Sequence, residues 1–208
     1  MRRRAAQADP AKQDEFMVRM ANYTKEQLVF CDESAINNKA NQRKWGWGPL
    51  GHRVPVSTPF IRNPHRWSIL PAISTEGYIA IEVLEGGYDT VTFNRFVASF
   101  LPLMNAYNAE DPAPLSVLVM DNCSIHKSED LQVLCNEYGV RLEFLPPYSP
   151  QFNPIEKTFS VLKAYIRKRD EECLVAFQEN RFEHFLVDCA GAAITSEIAE
   201  NEFKACGY

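Results

Sequence analysis

Three carboxylates stand at places in the chain where a fold delivers side chains to one point. Val117-Leu118-Val119-Met120 is an apolar run of strand length that ends in Asp121, and open α/β sheets collect their ligands at the carboxyl ends of such buried strands. Leu28-Val29-Phe30-Cys31 repeats the device and ends in Asp32. Glu156 follows Pro154 at the start of a helix, where a proline in the first turn forfeits no helical hydrogen bond. The 34 residues between Asp121 and Glu156 suffice for one helix and one further strand, so the three acids can converge. Oxygen donors without histidine or cysteine suit Mg²⁺ or Mn²⁺, hard cations that keep several waters. Two such ions about 3.5–4 Å apart support phosphoryl transfer, and Asp32, Asp121 and Glu156 fit that catalytic and metal-binding role. Taken singly, each acid reads equally well as a solvated strand end or an ion-pair partner. Glu33 adjoins Asp32, and because strand side chains alternate, only one of the two can reach a shared site.

The elements that must position these acids follow from periodicity and punctuation. Residues 28–31 and 115–120 are expected as strands, as are 140–145, and residues 67–74 and 78–84 as a hairpin about Thr75-Glu76-Gly77. Residues 54–59 read as an extended piece. Phe93, Phe96, Val97, Phe100, Leu101 and Met104 have helical spacing within 90–106, with Pro102 kinking that helix or ending it early. Residues 128–138 form a helix closed by Gly139. Ile155, Phe159, Leu162, Tyr165 and Ile166 mark one face of a long helix, whose other face carries Lys157, Lys163, Arg167 and Lys168. A short helix at 15–23, with Pro10 breaking anything earlier, and tail helices at 182–193 and 196–204 complete the reading.

Three blocks resemble the catalytic domain of Tc/mariner-type DDE transposases and their insertion-sequence relatives. They are Phe30-Cys31-Asp32-Glu33-Ser34, then Val119-Met120-Asp121-Asn122-Cys123-Ser124-Ile125-His126, then Leu145-Pro146-Pro147-Tyr148-Ser149-Pro150-Gln151-Phe152-Asn153-Pro154-Ile155-Glu156. Trp45-Gly46-Trp47-Gly48 resembles the family's Trp-Gly run between the first two acids. The resemblance implies a ribonuclease-H-like α/β fold, a mixed five-stranded sheet flanked by helices, with a helical C-terminal tail. It selects Asp32 over Glu33. It implies a metal-dependent endonuclease and strand transferase that cleaves DNA by two-metal phosphoryl transfer, with transposon ends and target DNA as partners and room for a homodimer. The alternative is a truncated or domesticated remnant that binds nucleic acid without transposing. Expected units are a polar segment at 1–26, too short for the family's helix-turn-helix region, a DDE catalytic domain at 27–169 and an acidic helical tail at 170–208.

Composition bounds the partners. The net charge of −5 argues against a simple nucleic-acid coat, since phosphate binding needs clustered Lys and Arg. From residue 170 onward nine acids face two bases, a net of −7, so the first 169 residues carry +2. Arg43, Lys44, Trp45 and Trp47 combine cations, aromatics and glycines suited to a phosphate backbone or an unpaired base, and equally to a hairpin packed by tryptophans. Asn122 and His126, just past the second acid, are placed to contact substrate phosphate or to orient water, although a polar loop histidine near a helix start is commonly plain surface. Lys157 and Lys163 offer a DNA-facing flank, or a plain solvated helix face. No apolar run is long enough for a membrane span and no signal peptide begins the chain, so it is expected inside the cell, in the nucleus of a eukaryote or in cytoplasm. Six cysteines without paired ligand spacing read as reduced thiols rather than a zinc site.

Overall fold

The strands sort by what they must bury. β1 (Leu28–Cys31) and β5 (Val117–Met120) are apolar and buried at every position, the pattern of parallel neighbours covered on both faces. They pair in parallel, Leu28 opposite Val117 through Cys31 opposite Met120, and β5 pairs in parallel with β6 (Arg141–Phe144). On its other edge β1 meets β3 (Arg66–Ser74) antiparallel, and β3 turns back into β4 (Gly77–Glu85). The structure, a computed structural model, describes residues 9–37, 47–52, 66–123 and 128–208. The extended piece expected at 54–59 lies outside the described residues.

A sixth strand, β2 (Ser34–Asn37), corrects the expected count of five. Cys31 pairs with Ala72 and Ser34 with Ile69, so β1 and β2 follow one unbroken register along the same edge of β3. They are one line of chain interrupted at Asp32-Glu33. That register sets Asp32 against Pro71, and a proline has no N–H to give to a ladder. The first acid therefore sits where its neighbour cannot extend the sheet.

Alternation assigns the two faces of the sheet. Leu28, Phe30, Val117 and Val119 pack against α1 (Pro10–Met20), α4 (Pro154–Lys168), α5 (Asp170–Gln178), α6 (Phe182–Ala193) and α7 (Ser196–Cys206). Val29, Cys31, Leu118 and Met120 pack against α2 (Thr90–Phe100) and α3 (Glu129–Glu137). Pro10 starts α1 instead of breaking a helix: it occupies the first turn, and Asp9 Oδ1 accepts the Ala11 N–H at 3.1 Å. α2 stops at Phe100, and a 3₁₀ turn over Leu101–Leu103 takes up Pro102. α5 was not anticipated; the chain leaves helical geometry at Arg169 and re-enters it at once. Five cysteines are buried and Cys123 is exposed. Among the described residues no helix is long and apolar enough to cross a membrane.

Candidate active site

Asp32 follows Phe30 by two residues and Asp121 follows Val119 by two, so alternation carried past each strand end sends both carboxylates to the α4 face. Cys31 and Met120 are opposite one another, which puts the two acids on adjacent parallel strands, spaced about 4.8 Å apart. α4 lies on that face because Ile155, Phe159, Leu162 and Ile166 are buried there. Its first turn carries Glu156. The three acids share the wall of one cavity of about 670 Å³, together with Asn122, Cys123, Asn153 and the loop from Leu145 to Pro150. Glu33 goes elsewhere: its Oε1 accepts from Ser68 Oγ at 2.7 Å and lies 3.8 Å from Arg66.

The acids act on one another electrically. Asp32 is 8% exposed; burial, then the charges of Asp121 and Glu156, push its carboxyl up from 3.8 to about 8, against the hydrogen bonds from Glu33 N–H and Asn153. Those bonds, both 2.8 Å, occupy Oδ1 and Oδ2 respectively. Burial and Asp121 also raise Glu156, while Lys163 opposes the rise. Lys163 is lowered by burial and supported by Glu156, and its Nζ donates to Ser34 Oγ at 2.8 Å. Asp121 Oδ1 accepts the Cys123 N–H at 3.0 Å.

The residues suit a hard cation. Every donor on this wall is an oxygen save Cys123, and two buried acceptors, Asn122 Oδ1 and Asn153 Oδ1, lack a hydrogen-bond partner. Such orphans in a polar cavity are places where an ion's waters bind. Among the described residues no three acid, imidazole or thiol groups are already gathered tightly enough to grip one ion.

Other expected contacts distribute differently. Lys163 borders the acids through Glu156, whereas Lys157 pairs with Glu202 of α7 at 3.7 Å. Trp47 is fully exposed and does not line the cavity. Arg43, Lys44, Trp45 and His126 lie outside the described residues. The wall also holds residues that their sequence positions do not mark as parts of a site, Tyr148 and Asn153 among them. Tyr148 is 61% exposed and holds a left-handed backbone at φ 55°, unusual for a bulky side chain. Asn153, 2% exposed, is signalled only by an asparagine placed before Pro154, which reads as an ordinary helix cap.

A mixed sheet with β1, β5 and β6 parallel, β3 and β4 antiparallel, and helices on both faces defines a ribonuclease-H-like domain. Residues 27–178 match the family described as DDE superfamily endonuclease, and the chain belongs to that family. Among solved structures it is similar to the Mos1 transposase paired-end complex with left transposon end, at 14% identity and TM-score 0.60, covering 100% of this chain and 66% of that one. The Mos1 mariner paired end complex with Mn gives 12% identity and TM-score 0.60, with the same 100% and 66% coverage. The Mos1 transposase catalytic domain with Raltegravir and Mg gives 12% identity and TM-score 0.52, covering 95% of this chain and 92% of that domain. At these identities the likeness establishes the fold, and the chain spans just under two thirds of the transposase chain in those paired-end complexes. No curated protein matches the sequence.

Proposed function

We propose that this protein is a transposase-type DNA endonuclease and strand transferase, with Asp32, Asp121 and Glu156 as its metal-holding residues and Mg²⁺ or Mn²⁺ as its cofactor. The observation that carries the reading is that three acids from the ends of β1 and β5 and the first turn of α4 line one cavity wall, where, beside burial, Asp121 and Glu156 raise the proton affinity of Asp32 and Asp121 raises that of Glu156. Concentrated negative charge of this kind disfavours a stable fold and favours a bound cation. Divalent cations held there would supply charge stabilisation for phosphoryl transfer. Asp32 and Asp121 at the ends of β1 and β5 and Glu156 in the first turn of α4 are the residues that would hold them.

The chain's other residues suit a polynucleotide. Lys163, poised between Ser34 and Glu156, places a positive charge beside the acids for a phosphate. Tyr148 presents an exposed ring on the cavity rim, and a base stacked on an aromatic ring gains about 1–3 kcal/mol. DNA is accordingly the substrate. Of the Mos1 structures that share this fold, one holds a left transposon end, one is a paired end complex with Mn and one holds the catalytic domain with Mg, consistent with that assignment.

Nicking of supercoiled plasmid in Mn²⁺ tests the reading. Asp121→Asn keeps the side chain's shape while removing a charge, and is expected to slow nicking at least about 100-fold, roughly 3 kcal/mol of transition-state stabilisation. Equal nicking by the two proteins would mean that the activity is a contaminant or lies elsewhere.

A further inference from the structure

Asn153 occupies the N-cap of α4, where an asparagine side chain ordinarily accepts a backbone N–H from the helix's first turn. It makes no such bond. Its Nδ2 instead donates to Asp32 Oδ2 at 2.8 Å, across 121 residues of sequence, and its Oδ1 stays buried without a partner. Two local preferences are thus set aside: the cap is unmade and an acceptor is left unpaired. The backbone does not dictate the choice: Asn153 has φ −108° and ψ 100° before Pro154, close to the φ −100° and ψ 108° of Asp9, which precedes Pro10 and does cap its helix. The turn before it is fixed from outside, by Gln13 Nε2 donating to Ser149 Oγ at 2.9 Å and by Tyr208 Oη donating to the Phe152 carbonyl at 2.8 Å.

We propose that Asn153 is a positioning residue for Asp32, one that orients the carboxylate for the divalent cation. The inference rests on the metal-dependent reading above. A carboxylate has about four lone-pair sites, so the bonds from Asn153 and from the Glu33 N–H fix the group's plane and leave two sites open. Partners of this kind orient metal ligands in many proteins, and losing one typically weakens metal affinity 10–100-fold.

The test compares wild type, Asn153→Ala and Asn153→Ser for Mn²⁺ binding by calorimetry, for the Mn²⁺ concentration that half-saturates nicking, and for folding by circular dichroism. Serine is a favoured N-cap too short to reach Asp32, so it preserves the helix start and keeps the test alive if the alanine variant fails to fold. Both variants are expected to bind Mn²⁺ about 10–100-fold more weakly, with half-saturation shifted upward by a like factor and nicking largely regained at high Mn²⁺. Wild-type affinity in Asn153→Ser would show that Asn153 merely starts the helix and would overturn the proposal. So would unchanged affinity in both variants, while leaving the metal-dependent reading standing. Wild type that neither binds Mn²⁺ nor nicks would remove that reading, and this proposal with it.

Discussion

Asp32 holds its proton into the neutral range, and that has a measurable consequence for stability. An unfolded aspartate ionises near its ordinary value of 3.8, the folded one near 8. Between those values the folded chain binds the extra proton, so stability from this group is full below pH 4 and falls as pH rises toward 8. Asp32→Asn removes the dependence. In metal-free buffer the variant is expected to melt above wild type, by about 2–4 °C for each kcal/mol relieved, with the gap opening from pH 5 to pH 8 and level beyond. A gap that does not change with pH would refute the electrostatic account. Asp121 and Glu156 were legible in the sequence because an apolar run ending in an acid and a proline in a first helical turn are local signals. Asn153 was not, because its use depends on Asp32, far away in sequence, and no local rule distinguishes a capping asparagine from one that reaches across the fold.

Elements were legible where periodicity was strong and misread where the chain broke it. β1, β5 and the hairpin of β3 and β4 stand close to where apolar runs put them. β2 was missed because Ser34-Ala35-Ile36-Asn37 carries a single large apolar residue; it is a strand because β3 continues past the break at Asp32 and supplies the partner. Pro10 was read as a breaker because proline's effect changes sign between the first turn and the interior of a helix. The segment joining β6 to α4 has almost no regular structure, yet it must place Asn153 and Glu156. It is clamped from both sides, by Phe16 of α1 against Phe152 with ring centroids 5.6 Å apart and by Tyr208 on the Phe152 carbonyl. Tyr208→Phe keeps the ring and deletes the hydrogen bond. The expected loss is about 1 kcal/mol, seen as a melting temperature lower by about 2–4 °C, and an unchanged melt would mean that the Tyr208 hydroxyl holds nothing.

At the scale of the molecule, charge and packing say different things about the last forty residues. Their acidity set them apart in sequence, but charge patterning marks the face a helix shows to water, not the face it buries. Leu186, Cys189 and Ala190 of α6 and Phe203 of α7 are wholly buried in the cluster that contains Phe30 of β1 and Ile155 of α4. Phe203 meets Phe30 edge to face, with ring centroids 5.3 Å apart. The helices that follow α4 therefore press on the strand that leads into Asp32 and on the helix whose first turn carries Glu156. Phe203→Ala is expected to cost about 3–5 kcal/mol through lost burial and a residual cavity, lowering the melting temperature by roughly 6 °C or more. The decisive feature is the form of the transition. If α7 belongs to the same cooperative unit as the sheet, far-UV circular dichroism and tryptophan fluorescence, measured with Trp45 and Trp47 replaced by phenylalanine so that Trp67 on β3 is the emitter, shift together by the same amount. A variant whose fluorescence transition stays at the wild-type temperature while helix signal is lost earlier would show the tail to be an appendage that the sheet does not need.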